Sequence, residues 1–254
     1  MQLIVLGCGA SSGTPVIGCD CPTCTSSDLR NHRTRSSVAL ALNDGKVLLI
    51  DCGPDLRQQA LREKLPRVDA VLCTHTHADH VHGIDDLRAF CLLQRQQILL
   101  YGSEEAMATI SGRFGYTLRE PNNRWDMPVL GVKPINGPFE VCDVIVTPIP
   151  VQHGYISIYG FRIGSMAYLT DISGIPPTSL GLLHDLDVLL LDCLRYREHH
   201  THINLEQSLR YAQTIGARNT YLIHMTHEME YGALTSQLPD GVHVAYDGLR
   251  LDIN

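Results

Sequence analysis

Within six consecutive residues, His75-Thr76-His77-Ala78-Asp79-His80, the chain places four side chains that bind metal ions. The run follows the apolar stretch Val71-Leu72-Cys73, which reads as a strand, and precedes a helix-like segment. A strand end passing into a turn fixes the backbone while residues two apart share a side. The run therefore offers two sets of ligands. Imidazole suits Zn, Fe or Mn, and a carboxylate adds negative charge that helps hold a second cation. A solvated polar loop has no need of four ligand-type residues so close together.

Isolated residues elsewhere become interpretable beside that run. His153 lies just beyond the apolar strand read at residues 144–149, Asp171 ends Tyr168-Leu169-Thr170, and His224 ends Tyr221-Leu222-Ile223. Each alone would read as a hydrogen-bonded strand end. Together with the run they read as further ligands.

The 254 residues could form one large domain or two small ones, and 44% hydrophobic with 19% charged residues is ordinary globular composition. No repeat or linker interrupts the chain, so residues 1–254 read as a single α/β domain. Strand-length apolar runs fall at 3–7, 38–42, 47–50, 70–73, 98–101, 144–149, 158–163, 167–169, 188–191, 220–223 and 242–245. Helix-like segments fall at 55–63, 82–93, 103–112, 177–184 and 204–216, the last with Asn204 as cap and Gly216 as stop. Many strands follow one another without a helix between them, which implies two sheets face to face with helices outside. Residues 116–138, with their prolines and Trp125, read as a long irregular loop.

A net charge of −7 argues against a broad nucleic-acid surface, which needs clustered Lys and Arg. No stretch approaches the roughly 18 apolar residues of a membrane span, and residues 1–7 lack the basic start of a secretory signal. A cytoplasmic protein without a membrane partner is expected. Cys52, Cys73, Cys91, Cys142 and Cys193 lie in apolar runs and read as reduced, buried residues.

Cys19, Cys21 and Cys24 are different. Their C-x-C-x-x-C spacing in a Gly/Pro-rich loop, at about residues 18–25, lets three thiolates converge on a structural Zn, which needs a fourth ligand. A disulfide pair is the alternative, disfavoured in a reducing compartment. His227, three residues after His224, is the best fourth ligand; His32 is nearer in sequence but less convincing.

The His-x-His-x-Asp-His run, the later His153, the strand-terminal Asp171 and the final His224 resemble the metallo-β-lactamase superfamily, with Asp51-Cys52-Gly53 as its early Asp-x-Gly turn. The resemblance implies an αββα four-layer sandwich. It also implies one metal on His75, His77 and His153, another on Asp79, His80 and His224, and Asp171 bridging them. Two such metals, about 3.5–4 Å apart, support hydrolysis.

Within the superfamily, Leu6-Gly7-Cys8-Gly9, Gly13-Thr14-Pro15 and the cysteine knuckle are similar to the phosphoribosyl cyclic phosphate phosphodiesterases of carbon–phosphorus lyase phosphonate catabolism. This implies a small phosphorylated sugar as substrate, 5-phosphoribosyl 1,2-cyclic phosphate opened to ribose 1,5-bisphosphate. It further implies two catalytic divalent metals (Mn, Zn or Fe), a Cys3His zinc matching Cys19, Cys21, Cys24 and His227, and a homodimer. His202, just ahead of the 204–216 helix, matches the family's catalytic histidine and would act as general acid; Asp79 and Asp171 would orient the nucleophile. His199 and His200 read as solvated loop residues, and residues 9–13 as either a phosphate-binding nest or a plain turn.

Relatives and other chemistries compete. The tRNA 3′-processing endonucleases share the metal set but insert a long arm between the later His and the bridging Asp; only seventeen residues separate His153 from Asp171 here. The pyrroloquinoline-pathway protein shares the knuckle but has a degenerate His cluster. A thioester or lactone hydrolase would use the same metals on carbon. A non-enzymatic metal-binding module would leave the complete ligand set without a use.

Overall fold

The computed structural model describes residues 1–118 and 130–253. One sheet contains β1 (Gln2–Gly7), β2 (Ser37–Ala41), β3 (Val47–Ile50), β4 (Ala70–Leu72), β5 (Ile98–Gly102) and β6 (Leu130–Pro134). The other contains β7 (Phe139–Val141), β8 (Val144–His153), β9 (Ile156–Ile163), β10 (Met166–Leu169), β11 (Val188–Asp192), β12 (Asn219–Ile223) and β13 (Val242–Val244). Strand β14 (Arg250–Asp252) returns to pair with β1, so each sheet has seven strands.

Alternation along the strands makes the layers. Leu48 and Ile50 of β3 face inward, where they meet Phe161, Tyr168 and Leu190 of the opposite sheet; Val47 and Leu49 face out. Outward residues of the first sheet are covered by α1 (Leu56–Glu63), α2 (Ala78–Val81), α3 (Leu87–Gln94) and α4 (Glu104–Phe114), through Leu56, Val81, Leu87 and Ile110. Those of the second, such as Leu189 and Leu191, are covered by Leu183, after α5 (Pro177–Leu180), and Ala212 of α6 (Leu205–Ile215). The short α7 (Tyr231–Thr235) lies beside β13. The result is the αββα sandwich. Truncating a central residue such as Ile50 to Ala would cost about 2–5 kcal/mol, because both sheets pack against it.

Strand direction puts the chemistry at one edge. Strands β3 to β6 run parallel, as do β10 to β13, so their C-terminal ends share an edge in each sheet. Strand β8 is antiparallel to β9 and β9 to β10, which returns the end of β8 to that same edge. Ligands collect outside the carboxyl ends of such strands.

Local departures from the sequence reading have identifiable causes. The helix expected at 82–93 begins only at Leu87. Gly83 is pinned to the β3–α1 turn, where its N–H donates to the Cys52 carbonyl and a Cβ would lie 2.1 Å from the Gly53 oxygen. The loop expected at 116–138 contains β6, while residues 119–129, including Trp125, lie outside the described residues. Strand β8 continues through Pro148 and Pro150, because β7 pairs only with Val144–Val146 and that side meets no further ladder partner until Gln152 bridges to Gly174. Cys142 is half-buried in the β7–β8 turn; the other four apolar-run cysteines are buried and free. No helix among the described residues is long and apolar enough to cross a membrane.

Candidate metal centre

Six strand ends supply the centre. Asp51 follows β3, His75 to His80 follow β4, His153 ends β8, Asp171 follows β10, Asp192 ends β11 and His224 follows β12. Asp51, Asp171 and His224 adopt left-handed backbone, with φ of 62°, 57° and 57°. That conformation is uncommon for residues with a Cβ, and here it turns each strand's terminal side chain across the sheet edge. Gly53 lets the β3–α1 turn approach α2, since a Cβ there would lie 2.0 Å from the Asp79 carbonyl oxygen.

The structure brings His75, His77 and His153 into one group and Asp79, His80, Asp171 and His224 into another, ligand atoms within 4.8 Å of one another in each. Asp171 also lies within that distance of His153 and His202, so its carboxylate stands between the two groups. His80 Nε2 is 3.1 Å from Asp171 and 3.3 Å from Asp79; His224 Nε2 is 3.2 Å from Asp171 and 3.6 Å from Asp79.

Outer contacts decide which ring nitrogen carries the proton. His80 Nδ1 donates to Asp51 at 2.7 Å and His153 Nδ1 donates to the Thr201 carbonyl at 3.0 Å, since both oxygens can only accept. Thr74 Oγ1 donates to Asp51, so toward His75 Nδ1 at 3.0 Å it accepts. All three rings then present a lone pair at Nε2, the form a metal requires. His80 Nε2 and both His224 nitrogens are buried without a hydrogen bond. These orphaned donors beside two carboxylates fit divalent metals.

Charge in the protein alone is balanced within the cluster. Burial works to raise the Asp79 carboxyl, but His224 and His80 hold it well below the usual range. Burial opposes a proton on His224, yet Asp171, Asp79 and Asp192 push it up to about 9. His75 faces no such excess of carboxylate, and burial drives its pKa far down.

Sequence reasoning gave Asp51 and Asp192 no role in the centre. Asp192 Oδ1 lies 3.5 Å from His224 Nδ1 and Oδ2 3.4 Å from His202 Nδ1, so one buried carboxylate serves two histidines. Its signal was the same as that of Asp171, an acidic residue closing an apolar strand. His202 stacks on His224 with ring centroids 4.9 Å apart, and its Nε2 lies 4.0 Å from Asp171. His199 is fixed by Thr201, whereas His200 is exposed beside it. In the glycine loop, Gly9, Ala10 and Gly13 donate their amides to the Thr34, Met225 and Ala10 carbonyls, so these three are not available to a phosphate.

The sulfurs of Cys19, Cys21 and Cys24 converge on His227 Nδ1 at 3.3, 3.4 and 3.5 Å. His32 instead contacts the Ser26 carbonyl. The Cys24 N–H donates to Cys21 Sγ and lowers that thiol to about 6, while burial raises Cys24 to about 11. Four soft or borderline donors at one point suit tetrahedral zinc. The knuckle is tied to the centre's side of the fold by Arg33, buried, which donates to the Thr226 and Met229 carbonyls flanking His227.

Residues 46–225 match the family model of the β-lactamase superfamily domain. A crystal structure of a new diphosphatase from the PhnP family superposes with a TM-score of 0.93 at 39% identity, covering 100% of this chain and 98% of that one. The chain belongs to the β-lactamase superfamily, and within it to the PhnP family. It is also 39% identical, over its whole length, to an octanoyltransferase from Porphyromonas gingivalis, of which it spans 52%. A coenzyme PQQ synthesis protein B from Methylobacterium radiotolerans is 34% identical over 124 residues, 44% of this chain and 40% of that protein. The chain thus spans about half or less of the curated relatives it matches. Zinc-bound PqqB from Methylobacterium extorquens, at 22% identity and a TM-score of 0.82 over the full length of both chains, shares the fold.

Proposed function

We propose that the chain is a metal-dependent phosphodiesterase of small cyclic sugar phosphates, converting 5-phosphoribosyl 1,2-cyclic phosphate to ribose 1,5-bisphosphate. The observation that carries this reading is the placement of His202 against the carboxylate shared by two metal-ligand groups. His75, His77 and His153 would hold one divalent metal and Asp79, His80 and His224 the other, with Asp171 reaching both; Cys19, Cys21, Cys24 and His227 would hold a structural zinc. Metals bound there supply Lewis acidity for a phosphate oxygen and acidify a water molecule.

The chain's own residues do the rest. Asp79 and Asp171 accept hydrogen bonds from the attacking water and orient it. Asp192 faces His202 Nδ1 at 3.4 Å and stabilises the protonated ring, leaving Nε2–H directed to the side where Asp171 lies. From Nε2 the proton passes to the departing sugar oxygen. An alkoxide is a poor leaving group and gains most from that transfer. His202→Ala is therefore expected to lower kcat on a diester with an alkoxide leaving group by about 10²–10⁴-fold and far less on one with an aryloxide. Equal losses on both would reject the proton donor.

A diphosphate substrate is the second reading, favoured by the diphosphatase of 39% identity. The octanoyltransferase name covers a protein about twice as long, of which this chain matches only about half. Human short-form tRNase Z, at 20% identity and a TM-score of 0.71, speaks for the fold alone. Between His153 and Asp171 the chain forms a tight turn, β9 and β10, with no tRNA-gripping arm. Metal-reconstituted protein would be assayed on 5-phosphoribosyl 1,2-cyclic phosphate, 2′,3′-cyclic nucleotides, a nucleoside diphosphate sugar, a tRNA precursor and a thioester. Highest kcat/KM on the ribose cyclic phosphate is expected. A preference for the diphosphate would select the second reading, and turnover of the thioester alone would remove both.

A further inference from the structure

The turn between β8 and β9 has two residues, Gly154 and Tyr155, and only the glycine has positive φ, +59°. Such a turn favours glycine at its first position on backbone grounds. A second constraint acts at the same place. A Cβ on Gly154 would lie 2.8 Å from Thr201 Cγ2 and 3.7 Å from Thr201 Cβ. The glycine cannot retreat from this contact, because its N–H donates to Ser173 Oγ at 2.9 Å.

Thr201 is held in turn by what surrounds it. Its carbonyl accepts from His153 Nδ1 at 3.0 Å, and its N–H and hydroxyl face His199 Nδ1 at 3.4 and 3.1 Å. Two residues on, the Ile203 N–H donates to the Ile172 carbonyl at 2.7 Å, and Asn204 starts α6 with a reciprocal capping box. His202 sits between these anchors, its ring edge-on to His153 with centroids 5.0 Å apart.

We propose that Gly154 is a positioning residue: the bare glycine lets the Thr201 methyl seat against the β8–β9 turn, and that seating sets His153 and His202 relative to each other. The Thr201 carbonyl holds His153 in the Nδ1–H tautomer and fixes the angle of its ring, while the peptide that follows carries His202. A displacement of Thr201 by a few tenths of an ångström moves both histidines together. No side-chain substitution at either histidine would reveal this coupling, since it runs through backbone.

The inference about His202 rests on the phosphodiesterase reading; the inference about His153 does not. The test uses the metal-loaded, full-length protein in three forms: unaltered, Gly154→Ala, and Gly154→Ala with Thr201→Ser. The serine keeps the hydroxyl and the backbone but removes the methyl that the alanine would strike. Two readouts are taken, the rate of metal loss from the His/Asp centre to a chelator and the ratio of kcat on alkyl-leaving and aryl-leaving diesters. Knuckle zinc serves as the internal reference for folding.

Gly154→Ala is expected to speed metal loss by about 10-fold or more, the scale of a disturbed outer-shell contact. It should also lower kcat on the alkyl diester more than on the aryl diester, at nearly constant KM. The serine variant should restore most of both losses. Unchanged metal retention and kcat ratio in Gly154→Ala would overturn the proposal. So would equal defects in the single and double variants, which would leave only the turn's backbone requirement. If the unaltered protein cleaves no phosphate ester, the phosphodiesterase reading falls, and metal retention still decides whether Gly154 positions His153.

Discussion

The cysteine knuckle and the His/Asp centre draw on different parts of the fold. The knuckle takes three donors from one short loop and one, His227, from a distant loop, and its sulfurs reach the imidazole directly. Its donor set contains no carboxylate. The centre takes its donors from strand ends and from α2 just beyond β4, buries most of them, and backs His75, His80 and His153 with a separate acceptor. The first arrangement saturates an ion and joins two loops. The second orients ring nitrogens from behind and keeps His202, the proposed proton donor, beside the shared carboxylate. The difference is the one expected between a structural zinc site and a catalytic metal site.

The comparison is most exposed at Asp171. Asp171→Asn is expected to lower kcat by roughly 10²–10³-fold, comparable to the loss of a single electrostatic stabiliser, while metal analysis still finds the knuckle zinc. Concurrent loss of that zinc would mean that the two sites are not independent. Asp192→Asn should cost about 10–100-fold in activity or metal retention, because His224 and His202 both lose their carboxylate. Wild-type values for that variant would make Asp192 a bystander.

Changes at the knuckle should show the opposite balance. Cys21→Ser is expected to release the structural zinc and lower Tm by roughly 5–10 °C, as a loss of a few kcal/mol would in a chain of this size. Activity per folded molecule should fall by less than about 10-fold, the size of an indirect effect on rate. A larger fall at unchanged Tm would assign the knuckle a part in catalysis. The smallest effect is protonic. Cys24, raised to about 11 by burial, keeps its proton at neutral pH in the metal-free loop. Zinc must displace that proton, so uptake should release at least one and affinity should rise with pH. Calorimetry in buffers of different ionisation enthalpy measures the number; zero would contradict the Cys3His site.

Much of this centre was legible because its densest part is local. Four donor residues within 75–80 need no tertiary information to be noticed. His153, Asp171 and His224 were legible as strand ends, since each closes an apolar run, and the αββα layering follows from many short strands with few helices between them. Of the four edge strands only β13 was legible, as the apolar run at 242–245; β6, β7 and β14 were not. β6 carries Gly131 and Pro134, and β14 is the polar triplet Arg250-Leu251-Asp252. A strand paired on one side and wet on the other requires little of the hydrophobic pattern that marks a central strand.

The amino-acid sequence by itself determined the donor chemistry of both candidate metal sites, because ligand identity and local spacing are properties of the chain. Only the tertiary structure decided the hydrogen-bond partners behind the ligands, Asp51 on His80, Thr74 on His75 and the Thr201 carbonyl on His153, and set the Asp192 carboxylate beside His224 and His202. The physical reason lies in range and direction. A hydrogen bond that selects a tautomer acts within about 3 Å and depends on angle. The residues it joins here lie up to 48 positions apart, and one partner is a backbone carbonyl, which every residue carries and no sequence pattern marks.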